Sequence, residues 1–155
     1  MGVVTVEREH VSTVSAARLY KASVVDSINI FPKALPNLVK SAELIEGDGG
    51  PGSIKKFIVA EVSVKHKVDV VDAENYVYHY TVVEGSVTSE PLEKVSYEYK
   101  FVGSPDGGCI VKSTAIYNTK GDAQLSEEFL KVNKERAFTF TKAVEDYLLA
   151  NPDYN

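Results

Sequence analysis

The fold is decided by the stretch Val95-Ser96-Tyr97-Glu98-Tyr99-Lys100-Phe101, in which apolar or aromatic residues alternate strictly with polar ones. Successive side chains of a strand point to opposite faces of the sheet, so this pattern predicts a half-buried strand. Val95 and the three aromatic rings form its inner face. Ser96, Glu98 and Lys100 face the solvent.

Similar alternation on both sides of this stretch predicts further strands. Tyr76-Val77-Tyr78-His79-Tyr80 places its three tyrosines on one face. Ile110 to Tyr117 has Val111, Ser113, Ala115 and Tyr117 on one face and Ile110, Lys112, Thr114 and Ile116 on the other, and if the first set faces inward, the middle of that face is small. Ser41 to Glu46, Ser53 to Val59 and Val62 to Val71 also read as strands. Tight turns such as Ser104-Pro105-Asp106-Gly107-Gly108 separate them, which predicts an antiparallel meander.

Three segments have helical patterns. Ser15 caps a short helix to Ala22, and a second short segment from Ser27 to about Leu35 is expected to be broken by Pro32 and Pro36. The longest helix is predicted from Ser126 to about Ala150. The sequence therefore predicts an α+β fold in which a sheet grips one long helix. Apolar residues at three- and four-residue steps predict one buried stripe on that helix, made of Phe129, Leu130, Val132, Ala137, Phe140, Val144, Tyr147 and Leu148.

Length and composition indicate a single soluble domain spanning residues 1–155. The chain has a mass of 17.0 kDa, with 44% hydrophobic and 25% charged residues. Cys109 is the only cysteine, which excludes an internal disulfide and a cysteine-rich zinc site. With no signal peptide or apolar spanning segment in the pattern, we expect a cytoplasmic protein that does not enter membranes. A net charge of −5 makes nucleic acid an unfavourable partner.

One glycine-rich stretch is similar in composition to phosphate-binding loops. It consists of Gly47, Asp48, Gly49, Gly50, Pro51 and Gly52. A dinucleotide fingerprint needs a helix immediately after the glycines, whereas a strand follows here, and Ser53 stands where a P-loop needs lysine. The pattern favours a rigid hairpin loop. Some anion affinity from backbone N–H groups beside Lys55 and Lys56 is the alternative.

Tyrosines are the most informative residues for function. Several phenols on inner faces make a dry, fully packed core costly, because each buried hydroxyl needs a hydrogen-bond partner. We therefore expect a cavity lined by phenols. His10, His66 and His79 have no nucleophile or metal-ligand pattern around them, and no metal or cofactor is expected. From the residues alone, His66 and His79 are expected to face the solvent, and Cys109 to be inert.

Four motifs in order resemble those of the class-ten pathogenesis-related plant proteins, the family of the major birch pollen allergen. They are Glu46 to Lys56, Leu92-Glu93-Lys94, Thr119 to Ala123 and Val144 to Pro152. The resemblance covers essentially the whole chain. It implies a seven-stranded curved antiparallel sheet around a long C-terminal helix, with two short helices after the first strand and an internal hydrophobic cavity, an arrangement known as the helix-grip fold.

The resemblance also implies a set of cavity residues and a class of ligand. Family members bind planar or amphipathic plant metabolites such as cytokinins, flavonoids and sterol-like hormones, and the family is linked to plant defence and allergy. Two features depart from the family pattern: Ile28 stands where relatives often have a pocket aspartate, and the segment from Phe57 to Asp72 is a few residues shorter. The implied lining consists of Phe31, Phe57, Val59, His66, Tyr78, Tyr80, Tyr97, Val111, Ala137 and Phe140.

Three functions follow as hypotheses. The first is an intracellular, mainly monomeric carrier for small hydrophobic metabolites, without a catalytic residue. The second is the ribonuclease activity claimed for the family, which would use the glycine-rich loop with Lys55, Glu93, Glu145 and Tyr147. The third, a hormone receptor that binds a phosphatase, is disfavoured because the gate sequence of such receptors is missing from the shortened connection. Alkaloid-condensing relatives use a cavity lysine, and the nearest strand candidate, Lys112, is expected to face outward.

Overall fold

The computed structural model describes residues 2–85 and 91–154, in which seven strands and three α-helices follow one another along the chain. The helices are α1 Ala16–Tyr20, α2 Ser27–Ala34 and α3 Glu127–Ala150, and one π-helical turn, Lys21–Val25, joins the first two. The strands are β1 Gly2–Ser12, β2 Val39–Glu46, β3 Ile54–Val59, β4 Val62–Asp72, β5 Val77–Glu84, β6 Leu92–Gly103 and β7 Cys109–Thr119.

All seven strands belong to one sheet in the order β1-β7-β6-β5-β4-β3-β2, and each neighbouring pair is antiparallel. The predicted meander is confirmed from β2 to β7, and β1 completes the sheet beside β7. Irregular pairing between β2 and β3, β4 and β5, and β6 and β7 marks bulges, which bend strands. The shortened connection between β3 and β4 is a tight turn in which Ala60 and Glu61 have φ of 48° and 68°. Positive φ at both positions suits the twist of a two-residue hairpin.

Local chemistry fixes the helix ends. The Ser126 hydroxyl accepts a hydrogen bond from the Phe129 N–H at 3.0 Å at the start of α3, and Ser15 caps α1 in the same way. The expectation that Pro32 breaks the second short helix is wrong, because α2 continues through it. Proline removes only one backbone donor, and the remaining bonds close the turn, including that from the Leu35 N–H to the Phe31 carbonyl at 2.9 Å.

The helices cover one face of the sheet, and the inward residues largely follow the predicted alternation. On β7, Val111 and Tyr117 are 4% and 3% exposed, with Ser113 and Ala115 buried between them. Val132 on α3 was expected to be buried, but it is 40% exposed because its side of the helix faces solvent.

Tyr76 does not share the inner face of β5 with the next two tyrosines. It lies in the turn before the strand with φ of 55°, which rotates its side chain out of the strand alternation. Its ring packs instead against Tyr20, with centroids 5.4 Å apart. Its place is therefore at the margin of the core that contains α1.

Candidate functional site

A cavity of about 200 Å³ lies between the sheet and the helices. Its walls come from the inner faces of β3 to β7, from one side of α3, and from the π-helical turn and α2. The structure brings together at this cavity all ten residues that the family resemblance implied: Phe31, Phe57, Val59, His66, Tyr78, Tyr80, Tyr97, Val111, Ala137 and Phe140.

Aromatic rings form a nearly continuous lining. His66 is stacked on Tyr80 with centroids 4.2 Å apart, and Tyr80 lies 5.2 Å from Tyr97. On the other side, His66 lies 5.2 Å from Phe57. Phe31 bridges the sheet and α3, since its ring lies 5.6 Å from Phe57 and 5.7 Å from Phe140. These surfaces can contact a planar ring from several sides.

The phenol rings lie in neighbouring pairs. Tyr80 is stacked with Tyr99, with ring centroids 6.2 Å apart, and Tyr97 meets Tyr117 edge to face at 6.5 Å. Burial is the main cause that raises the pKa of Tyr80 and of Tyr97, so both are neutral at physiological pH. The walls therefore combine apolar ring faces with a few hydroxyl groups. This combination suits an amphipathic guest.

His66 lies on the cavity wall, so the solvent-facing position expected from its lysine neighbours is wrong and the family resemblance is right. Alternation along β4 sends Lys65 and Lys67 outward and His66 inward. Burial, together with the nearby charge of Lys55, lowers the pKa of His66 to about 3. The ring is therefore neutral at physiological pH. It stacks as an aromatic surface rather than acting as a cation.

Lys55 is the main surprise of the site. The sequence places it beside the glycine-rich loop and in the ribonuclease alternative, but it is only 5% exposed and points inward from β3. Its Nζ donates to the Val24 carbonyl at 2.8 Å and to the Ser27 hydroxyl at 3.2 Å, and it lies 4.9 Å from the ring centre of Tyr78. Period-two alternation with Phe57 marks the inward face in the sequence. Because a charged side chain is normally expected to face the solvent, this alternation did not lead to the prediction that Lys55 is buried.

Burial lowers the pKa of Lys55 to about 8. We therefore expect one lysine to titrate near pH 8 in an NMR experiment on protein carrying ¹³C-labelled lysine, and that signal should be missing from Lys55→Met. The unfolded chain keeps this proton up to about pH 10.5, whereas the folded chain loses it near pH 8. The wild type should thus gain stability relative to Lys55→Met between these values. A midpoint above pH 10 for every lysine would contradict this assignment.

The glycine-rich loop, residues 47–52, is closed by its own hydrogen bonds. The Gly49 N–H donates to the Ser53 hydroxyl at 2.9 Å, and the Gly52 N–H donates to the Val68 carbonyl at 2.8 Å. Gly47 has φ of 85°, and a Cβ there would come within 2.8 Å of the Ser53 Cα. Glycine is therefore needed for backbone geometry, and β3 follows instead of a helix. These contacts give the loop the geometry of a rigid hairpin connection.

The four residues of the ribonuclease alternative do not form one site. Glu93 is exposed beside the end of β7, whereas Glu145 contacts His10 near the beginning of β7, roughly 25–30 Å away at about 3.3 Å per residue. Lys55 is buried beneath the π-helical turn and α2, and Tyr147 packs at the margin of the core. Paired acid and base groups need to reach the same substrate atoms. This arrangement does not provide such a pair.

Glu145 has a structural role instead. Its carboxylate lies 3.3 Å from His10 Nε2 and accepts a hydrogen bond from Lys142 at 3.1 Å. Burial would raise the pKa of Glu145, but hydrogen bonds from Ser12, Lys142 and His10 outweigh burial and lower it. The ionised group therefore joins α3 to β1 near one edge of the sheet.

Other candidates from the sequence lie outside the cavity lining. Cys109 is fully buried, and burial, followed by the charge of Glu145, raises the pKa of its thiol to about 11, which disfavours the reactive thiolate. Lys112 is exposed and faces outward, and His79 lies on the same outer face.

Within residues 2–85 and 91–154, no group of three or more potential metal-ligating side chains lies together. None of the helices described is both long and apolar enough to cross a membrane.

Sequence reasoning missed several polar residues of the lining, among them Asn133 and Arg136. Together with Ala137, Phe140 and Thr141, these two occupy positions spaced by three and four residues on α3. This spacing is the signal that could have found them. A buried stripe defined by apolar residues alone does not contain Asn133 or Arg136.

The model of the Pathogenesis-related protein Bet v 1 family matches residues 1–151. The chain belongs to the Bet v 1 family. The major strawberry allergen Fra a 1.04 of Fragaria ananassa is 50% identical, over 99% of this chain and 98% of the relative. The major allergen Pru av 1 of Prunus avium is 49% identical over the whole of both chains.

Solved structures of other proteins have the same architecture. Ara h 8.0201 superposes with a TM-score of 0.87 at 40% identity, covering 97% of this chain and 100% of that chain. Norcoclaurine synthase from Thalictrum flavum, in complex with dopamine and hydroxybenzaldehyde, has a TM-score of 0.75 at 21% identity, covering 97% and 88%. At that identity the likeness concerns the fold alone.

Proposed function

We propose that this Bet v 1 family protein binds small apolar or amphipathic ring compounds in its internal cavity and carries or buffers them without chemical conversion. The observation that supports the proposal is the ring-lined space of about 200 Å³, with its few hydroxyl groups, that the protein's own side chains leave unfilled. An engineered cavity of about 150 Å³ holds benzene, so there is room for a planar guest of one or two rings. The ligand classes are those of the family resemblance, cytokinins, flavonoids or sterol-like compounds, with the flat ones favoured by this volume.

The expected affinity follows from burial. Apolar area contributes about 25 cal/mol per Å², and association loses several kcal/mol of translational and rotational freedom. A micromolar dissociation constant is reasonable for a two-ring compound. We further propose that the protein acts as a monomer in the cytoplasm and takes part in plant defence. The acidic net charge favours solubility, and the chain belongs to a pathogenesis-related family. Both features support this part of the proposal.

A neutral fluorescent probe tests the proposal. We expect 1-aminoanthracene to increase in fluorescence on binding, to saturate at one molecule per protein, and to be displaced by 2-(2-naphthyl)ethanol, by the cytokinin kinetin or by the flavonoid naringenin. A neutral probe is chosen so that displacement depends on ring burial and not on charge. No fluorescence increase, or an increase that none of these compounds reverses, would overturn the proposal.

A further inference from the structure

Two arginines approach the same side of the cavity. Arg136 lines it from α3, one turn after Asn133, and is also exposed to solvent. Arg8 lies on β1, opposite Ser113 of β7, at one of the half-buried positions that alternate along this strand. Arg136 therefore lines the cavity itself, whereas Arg8 lies on the neighbouring edge strand and is not part of the lining.

The charges of these arginines are uncompensated. Among residues 2–85 and 91–154, neither Arg8 nor Arg136 has a carboxylate within ion-pair distance. Burial raises the pKa of Tyr117, and the positive charges of Arg8 and Arg136 oppose that rise. Both charges therefore act on the phenol of Tyr117, and the charge of Arg8 acts on that of Tyr97 as well. Guanidinium groups bind carboxylates through two parallel hydrogen bonds, which makes such a place favourable for an anion.

Lys55 is a weaker candidate for binding an anionic ligand. Its ammonium group already donates to Val24 and Ser27 and lies over the ring of Tyr78. An anion at Lys55 would have to displace these bonds in a buried environment. Arg136 is solvated and has no such partners, so it can bind an anionic group while the ligand's rings remain in the cavity.

We propose that Arg136, supported by Arg8, binds the carboxylate of an amphipathic ligand whose rings occupy the cavity. The inference rests on the proposed function and narrows its ligand class to ring compounds with a carboxylate. The preference for carboxylates comes from Arg136 at the cavity margin, and the phenols and phenylalanines supply the ring contacts. Tyr97 also lines the cavity, and its hydroxyl group can help to orient the anion.

A matched pair of ligands tests this inference: 2-naphthylacetate and the neutral 2-(2-naphthyl)ethanol, each titrated calorimetrically at pH 7.5. We expect the wild type to bind the acid at least about tenfold more tightly, as for a hydrogen bond to a charged group. In Arg136→Met the two affinities should agree within about twofold. Arg136→Lys should keep part of the preference for the acid over the alcohol, and Arg8→Met should reduce this preference. Lys134→Met, an exposed change on the same helix, is the control that should leave it unchanged.

The outcomes separate the two proposals. Equal binding of acid and alcohol by the wild type would overturn the carboxylate inference but leave the proposed function standing. Failure of both naphthyl ligands to bind would overturn the inference, and failure of kinetin and naringenin as well to displace 1-aminoanthracene would overturn the proposed function with it. The inference would also be overturned if Lys55→Met lost the preference for the acid over the alcohol while Arg136→Met kept it.

Discussion

Replacing Ala137 with tryptophan is expected to lower the affinity for neutral two-ring ligands by at least about 100-fold, the equivalent of about 2.7 kcal/mol. Ala137 lies on α3 with its side chain on the cavity wall, so an indole at this position would fill space that a bound ligand would occupy. The helix should tolerate the change, since tryptophan lowers helix stability relative to alanine by less than about 0.7 kcal/mol. Displacement of 1-aminoanthracene and the melting temperature measure the two effects.

The chain contains no tryptophan, so the new indole reports its own environment. Blue-shifted emission from Ala137→Trp would place the ring inside the cavity. Thr139→Trp is the matched control, because Thr139 is exposed on the same helix and does not line the cavity. Its emission should be that of a solvated indole, with wild-type affinity. Blue-shifted emission in Ala137→Trp combined with unchanged ligand affinity would show that ligands bind elsewhere.

Strand alternation allowed much of the sheet and its inner face to be predicted. Tyr97 on β6 and Val111 on β7 could be assigned to the interior because a strand has a period of two, and one residue of slippage would reverse every side chain. The same rule failed for Tyr76, because local alternation does not show where the turn ends and the strand begins. A left-handed backbone at that position depends on how β4 and β5 are joined.

Charged residues in and around the cavity wall were harder to predict. The pattern places Lys55 on the same face as Phe57, yet a lysine is normally assigned to solvent because burying its charge is unfavourable. Its partners, the Val24 carbonyl and the Ser27 hydroxyl, come from a distant segment and are visible only in the folded chain. Arg136 is similar: the helical period places it beside Ala137, but only tertiary structure shows that this face borders a cavity.

Replacing Gly108 with alanine is expected to destabilise the fold by about 3 kcal/mol, the upper end for an overpacked site. A Cβ at Gly108 would meet the carbonyl oxygen of Ser12 and lie 3.2 Å from the Cα of Thr13, which are backbone atoms that cannot rotate away. The change would push the end of β1 from the beginning of β7. A protein of this size should lose roughly 6–12 °C in melting temperature.

Gly103→Ala is the matched control for this change. Gly103 ends β6, is exposed, and has open space where a Cβ would be added. Its substitution should alter the free energy of unfolding by no more than about 0.5 kcal/mol. Thermal unfolding followed by circular dichroism compares the two variants. Because sequence alone marks both glycines as turn or strand-end residues, equal stability of the two variants would show that the approach of Ser12 to Gly108 does not constrain the fold.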